Sequence, residues 1–144
     1  MKKLMSLFCL SLICLFCGCN DDMKVKETVT YTVNKPVYMS ANAFRSSVKV
    51  NALPEEITQQ GKICFYEGYL YMSEPGKGIH VIDNRNPSSP ALVGFIELMG
   101  NADLAIRNNL LYADSYVDLV WFDITNPALP MLKSRLENVF PQSF

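Results

Sequence analysis

Asp83, Asn86, Pro87 and Pro90 recur forty positions later as Asp123, Asn126, Pro127 and Pro130. Upstream, Tyr69-Leu70-Tyr71 is matched after 41 positions by Leu110-Leu111-Tyr112. The one-residue difference falls between Glu74-Pro75-Gly76-Lys77-Gly78 and Ser115-Tyr116-Val117-Asp118, where a loop can absorb it. Self-similarity at such a period marks a chain of stacked supersecondary units, each burying its neighbour's face. That requirement excludes most folds open to a chain of 144 residues.

Each copy reads as four short strands. Ile63 to Tyr66 and Tyr69 to Ser73 flank Glu67-Gly68, while Leu104 to Arg107 and Leu110 to Asp114 flank Asn108-Asn109. Two-residue hairpins demand positive φ, which Gly and Asn tolerate. The third strands, Ile79 to Asp83 and Leu119 to Asp123, are nearly continuous in apolar residues and predict burial on both faces. Asn-Pro-x-x-Pro must then be a loop, because proline has no amide proton for a ladder. Asp83 and Asp123 are placed to accept backbone amides there in an Asx turn. Leu92 to Leu98 and Met131 to Leu136 supply the fourth strands. Prolines and β-rich runs argue against a helical solenoid of similar period.

Gly78-Ile79-His80-Val81-Ile82-Asp83 and Asp118-Leu119-Val120-Trp121-Phe122-Asp123, each followed by a loop bearing Asn-Pro, resemble the LVIVD repeat of bacterial cell-surface β-propellers. The resemblance divides into repeats at 62–101 and 102–141, within a region running from 62 to 144. It implies an all-β fold of two four-stranded antiparallel propeller-type blades, a surface location and no shared catalytic apparatus. A closed propeller takes 4 to 8 blades, or at least ~160 residues, and 83 are present from Lys62 onward. The expectation is an incomplete propeller, as a truncated product, as part of a longer chain, or as one that closes by oligomerisation through its open blade edge.

Residues 19–61 form a lead-in. Thr28 to Val33 alternates as a strand does, Ser40 is an N-cap for a short helix from Ala41 to Val48 burying Phe44 and Val48, and Asn51 to Gln60 reads as a polar connector.

Ahead of it, Lys2 and Lys3 precede an apolar run from Leu4 to Cys17, shorter than the ~20 residues of a spanning helix. Residues 1–18 therefore predict a signal peptide. Leu15-Phe16-Cys17-Gly18-Cys19 resembles the lipobox of bacterial lipoproteins, which implies cleavage after Gly18 and acyl chains, palmitate among them, on Cys19. Asp21-Asp22 resembles the acidic residues that follow the lipidated cysteine in some surface-exported lipoproteins. The implied location is the outer membrane, with the membrane itself a partner through Cys19. Removing Lys2 and Lys3 takes the formal charge from −1 to −3, and nucleic-acid binders carry a basic excess, so no nucleic-acid partner is expected.

Nothing in the remaining residues predicts a catalyst, cofactor or metal. His80 stands alone among Ile79, Val81 and Ile82 and is matched by Val120, so packing is its expected role. Asp114, Asp118 and Asp123 lack the spacing of a calcium loop and read as hydrated turn caps. Cys64, the only cysteine beyond the signal and lipid site, reads as a buried filler. Tyr116, in a loop, is the aromatic expected to be exposed as a contact for a protein or glycan partner. The rival expectations are the N-terminal fragment of a propeller hydrolase or glycan-active enzyme, or an inactive truncated product.

Overall fold

The computed structural model describes Tyr31 and residues 33–141. The expected signal peptide, Cys19, and the stretch 28–33 apart from Tyr31 and Val33 lie outside the described residues. The chain divides into two compact units after Pro36. In the first unit the described residues are exposed and without regular structure. The second begins with a short helix, α1 (Ala41–Ser46), whose Ser40 cap accepts from the Ala43 amide at 3.2 Å. The helix stops at Ser46, short of Val48, and both Phe44 and Val48 are half-buried.

Among the described residues nine strands follow: β1 (Lys49–Ala52), β2 (Ile63–Tyr66), β3 (Tyr69–Glu74), β4 (Gly78–Asp83), β5 (Ala91–Glu97), β6 (Leu104–Arg107), β7 (Leu110–Ser115), β8 (Asp118–Asp123) and β9 (Met131–Leu136). They make two antiparallel sheets ordered β1-β5-β4-β3-β2 and β6-β7-β8-β9, neither of which closes on itself. The fold is thus all-β, as expected, and the first sheet has five strands where the blade pattern predicts four. β1 takes in Asn51 and Ala52, the start of the expected connector, and it covers the outer edge of β5, pairing Lys49 with Glu97 and Ala52 with Phe95.

Local chemistry repeats from sheet to sheet. Glu67, Gly68, Asn108 and Asn109 all have positive φ, as two-residue turns require. Arg85 N donates to Asp83 Oδ1 at 3.0 Å and Thr125 N to Asp123 Oδ1 at 2.8 Å, the Asx turns expected at both places. Even the bulges coincide, between Val81 and Ile82 in β4 and between Trp121 and Phe122 in β8.

One core joins the sheets. Tyr69, Tyr71, Ile79, Val81 and Ile96 of the first pack with Leu104, Leu111, Ala113, Val120 and Phe122 of the second. Each fully buried large side chain contributes about 1.5–3 kcal/mol, so burial outweighs the few hydrogen bonds between the sheets at ~1 kcal/mol each. Those bonds fix the stacking. Tyr71 Oη donates to Pro127 O at 2.7 Å, Ser73 Oγ to Ala102 O at 3.1 Å and Cys64 Sγ to Leu104 O at 3.5 Å.

The third strands differ from the reading of both as doubly buried. β4 is covered on both faces from Gly78 to Val81, but β8 alternates strictly between buried and half-buried residues. The first sheet has the second on one face and its own lead-in near the other, whereas among the described residues the second sheet has a packed sheet on one face only.

Candidate functional site

Two buried carboxylates mark the hairpin ends of the sheets. In the first sheet Glu74, read from sequence as part of a loop, is the last residue of β3 and is buried. Its Oε2 lies 2.6 Å from His80 Nε2 on the adjoining strand, and its Oε1 accepts from Lys77 Nζ at 2.7 Å and from Thr58 Oγ1. Hydrogen bonds from Lys77, Thr58 and His80, in that order, hold this carboxyl well below the ordinary range of glutamates. Ionised, it can only accept, so the proton in the pair sits on His80 Nε2. His80 packs its ring against Phe95, centroids 4.6 Å apart, and is sealed from solvent. It therefore packs in the interior as expected, with a partner that its sequence neighbours did not reveal. A general acid or base must reach the proton it moves, and neither group of this pair reaches the surface.

Asp118, at the start of β8, is the counterpart in the second sheet. Its spacing predicts a hydrated turn cap, but the side chain is buried. Arg45 Nε on α1 donates to Oδ2 at 2.7 Å, Arg135 Nη1 on β9 to Oδ2 at 2.9 Å, and Asn138 N to Oδ1 at 2.9 Å. The hydrogen bond from Arg45 leads in lowering its pKa to about 2, against the desolvation that opposes it. Arg45 also pairs with Glu137 at 2.8 Å. A helix ahead of the repeats is thereby clamped to the far end of the second.

Asp114 turns elsewhere, its Oδ1 accepting from Asn101 Nδ2, Ala102 N and Asp103 N at 2.7 to 3.0 Å. Asp123 serves its Asx turn and an ion pair with Lys133 at 3.0 Å. The three aspartates do not converge, and no grouping of three metal-ligating side chains occurs among the described residues. Cys64 is half-buried, and that burial raises its thiol pKa above the ordinary value.

The accessible chemistry lies on the side of the second sheet that faces away from the first. Tyr112 and Trp121, opposite one another in the β7–β8 ladder, have ring centroids 6.4 Å apart. With Leu119, Ala105, Tyr116 and Phe140, Tyr112 lines a cavity of about 410 Å³, rimmed by Asp103 and Asp114. Tyr116 is 60% exposed at φ 56°, its ring edge-on to Phe44 at 5.5 Å. This aromatic and acidic hollow can hold an apolar or sugar-like surface, since exposed aromatics dominate contact energies.

Residues 60–97 and again residues 100–137 match the LVIVD repeat family. No curated protein and no solved structure matches the chain.

Proposed function

The chain belongs to the LVIVD-repeat family, and from that premise we propose that it is a lipid-anchored protein of the cell envelope whose two sheets are blades of an incomplete β-propeller. The sheets act as a binding or scaffolding surface, with no catalytic role. The observation that supports this most is the contrast between the hidden ionisable groups and the open aromatic face. Glu74, His80 and Asp118 are all buried, whereas Tyr112, Tyr116 and Leu119 line an open hollow. Anchoring follows from Leu15-Phe16-Cys17-Gly18-Cys19, since several acyl chains on one cysteine make membrane attachment stable where a single chain does not. Asp21-Asp22 favours the outer surface of the outer membrane.

Feeding cells a fatty-acid analogue tests the anchor. The wild-type chain incorporates label and the Cys19→Ala chain does not; equal labelling removes the lipoprotein reading. Protease treatment of intact cells tests display, with digestion of the repeats expected and full protection counting against it.

A further inference from the structure

The interface between the two sheets is written a second time, in residue positions, on the faces that the sheets leave open. In the core, Cys64, Tyr71 and Val81 of the first sheet pack with Leu104, Leu111 and Phe122 of the second. Moved by one repeat, the first three positions are Ala105, Tyr112 and Trp121, which lie together on the outward face of the second sheet. Moved back by one repeat, the other three are Ile63, Leu70 and Ile82. Because alternate residues of a strand share a face, these lie with Phe65 on the side of the first sheet away from the second. Both surfaces are open: Phe65 is 64% and Ile63 42% exposed, and Ala105 is exposed. Part of the first sheet's face is already covered, since Met72, His80 and Phe95 on it are buried and Thr58 meets Glu74 at its hairpin end, but Ile63 and Phe65 stay exposed along β2.

We infer that a second copy of this chain docks here head to tail, the outward face of its second sheet seated on the exposed β2 side of the first. The inference rests on the reading that these sheets are binding surfaces and names their partner. Charge agrees with the geometry. Across the internal interface Tyr66 Oη donates to Asn109 in the neighbouring hairpin turn. The repeat equivalents are Arg107 and the Glu67-Gly68 turn, so docking brings an exposed cation to an exposed carboxylate. A contact between unlike faces closes into a ring when its rotation permits. Rings of 4 to 8 blades correspond to about two to four copies of a two-sheet chain.

Native mass spectrometry of the purified full chain, which strips away any detergent, tests this. A closed set of two to four copies is expected at micromolar concentration, and a single-copy mass overturns the inference. Phe65→Asp and Ala105→Glu, both at exposed positions, each give single copies with unchanged circular dichroism. Mixed in equal amounts they give a heterodimer, because each variant retains the face the other has lost. Failure to recover that heterodimer overturns the head-to-tail arrangement. The labelling of Cys19 is read independently, so the anchor can stand if the assembly fails.

Discussion

Glu74 closes β3 in the first sheet, whereas in the second the buried carboxylate, Asp118, opens the following strand. The hairpins correspond apart from one extra loop residue in the first, with Glu74 opposite Gly78 and Ser115 opposite Asp118. Space explains part of the difference: a Cβ at Gly78 would run into the Ile96 carbonyl, so a charged side chain has no room there. The partners differ as well. Glu74 draws on its own hairpin and on Thr58 of the connector, but Asp118 draws on α1 and β9, from distant parts of the chain. Repetition has fixed the ladders, while the charge at each hairpin end answers to whichever segment packs against it.

Removing the second carboxylate has the larger expected effect. Asp118→Ala leaves two guanidinium groups, Arg45 and Arg135, with side chains only 17% and 12% exposed and their main partner gone. Stranding a buried charge costs about 3–5 kcal/mol, which a urea unfolding curve at pH 7 measures; a loss under about 1 kcal/mol would show that the arginines regain water freely. The pH profile sharpens the point. Asp118 is depressed from 3.8 to about 2, so its stabilisation is complete above pH 3.8 and fades as pH falls toward 2. Asp118→Asn removes that part of the acid sensitivity.

Glu74→Gln sits next. The amide keeps one acceptor but turns a donor toward His80 or Lys77, a mismatch of about 1–3 kcal/mol. The cost is smaller than at Asp118 because Lys77 is half exposed and can rehydrate. Glu74 is also depressed, so its contribution holds above its ordinary pKa of 4.5 and declines as pH falls through the lower native value. Acid titration followed by circular dichroism should show a shallower decline in the variant. Tyr116→Ala is the smallest, since it forfeits one edge-to-face contact with Phe44, worth about 0.5–1.5 kcal/mol. Thermal unfolding reads it, and no change would mean that the Tyr116 ring adds nothing to the hold of Arg45 and Arg135 on α1.

What was legible in the sequence is what neighbouring residues decide. The hairpins at Glu67-Gly68 and Asn108-Asn109 and the Asx turns at Asp83 and Asp123 need only a local backbone conformation, and the residue types announce it. β2 and β6 match their expected bounds. The misses share a different cause. Lys49–Ala52 has little strand character of its own and becomes a strand because β5 offers an open edge. Glu74 stands beside Pro75 and Gly76 and reads as loop, since its buried partner lies six residues away on another strand. Asp118 gives no local hint of Arg45, 73 positions earlier. The open aromatic face was visible only as Tyr116, because the outward direction of Tyr112 and Trp121 depends on which side of the second sheet is already occupied.

The lead-in grips both sheets in series, α1 through Asp118 on the second and β1 through the ladder on the first. A pull on the chain ahead of Ser40 is therefore borne first by the charged clamp, whose bonds share the load. Only once it yields does tension reach β1, where the strand peels from β5 one bond at a time. If the chain is moored by its front end as proposed above, that order of failure makes the helix a mechanical fuse, letting go before the stacked sheets are strained.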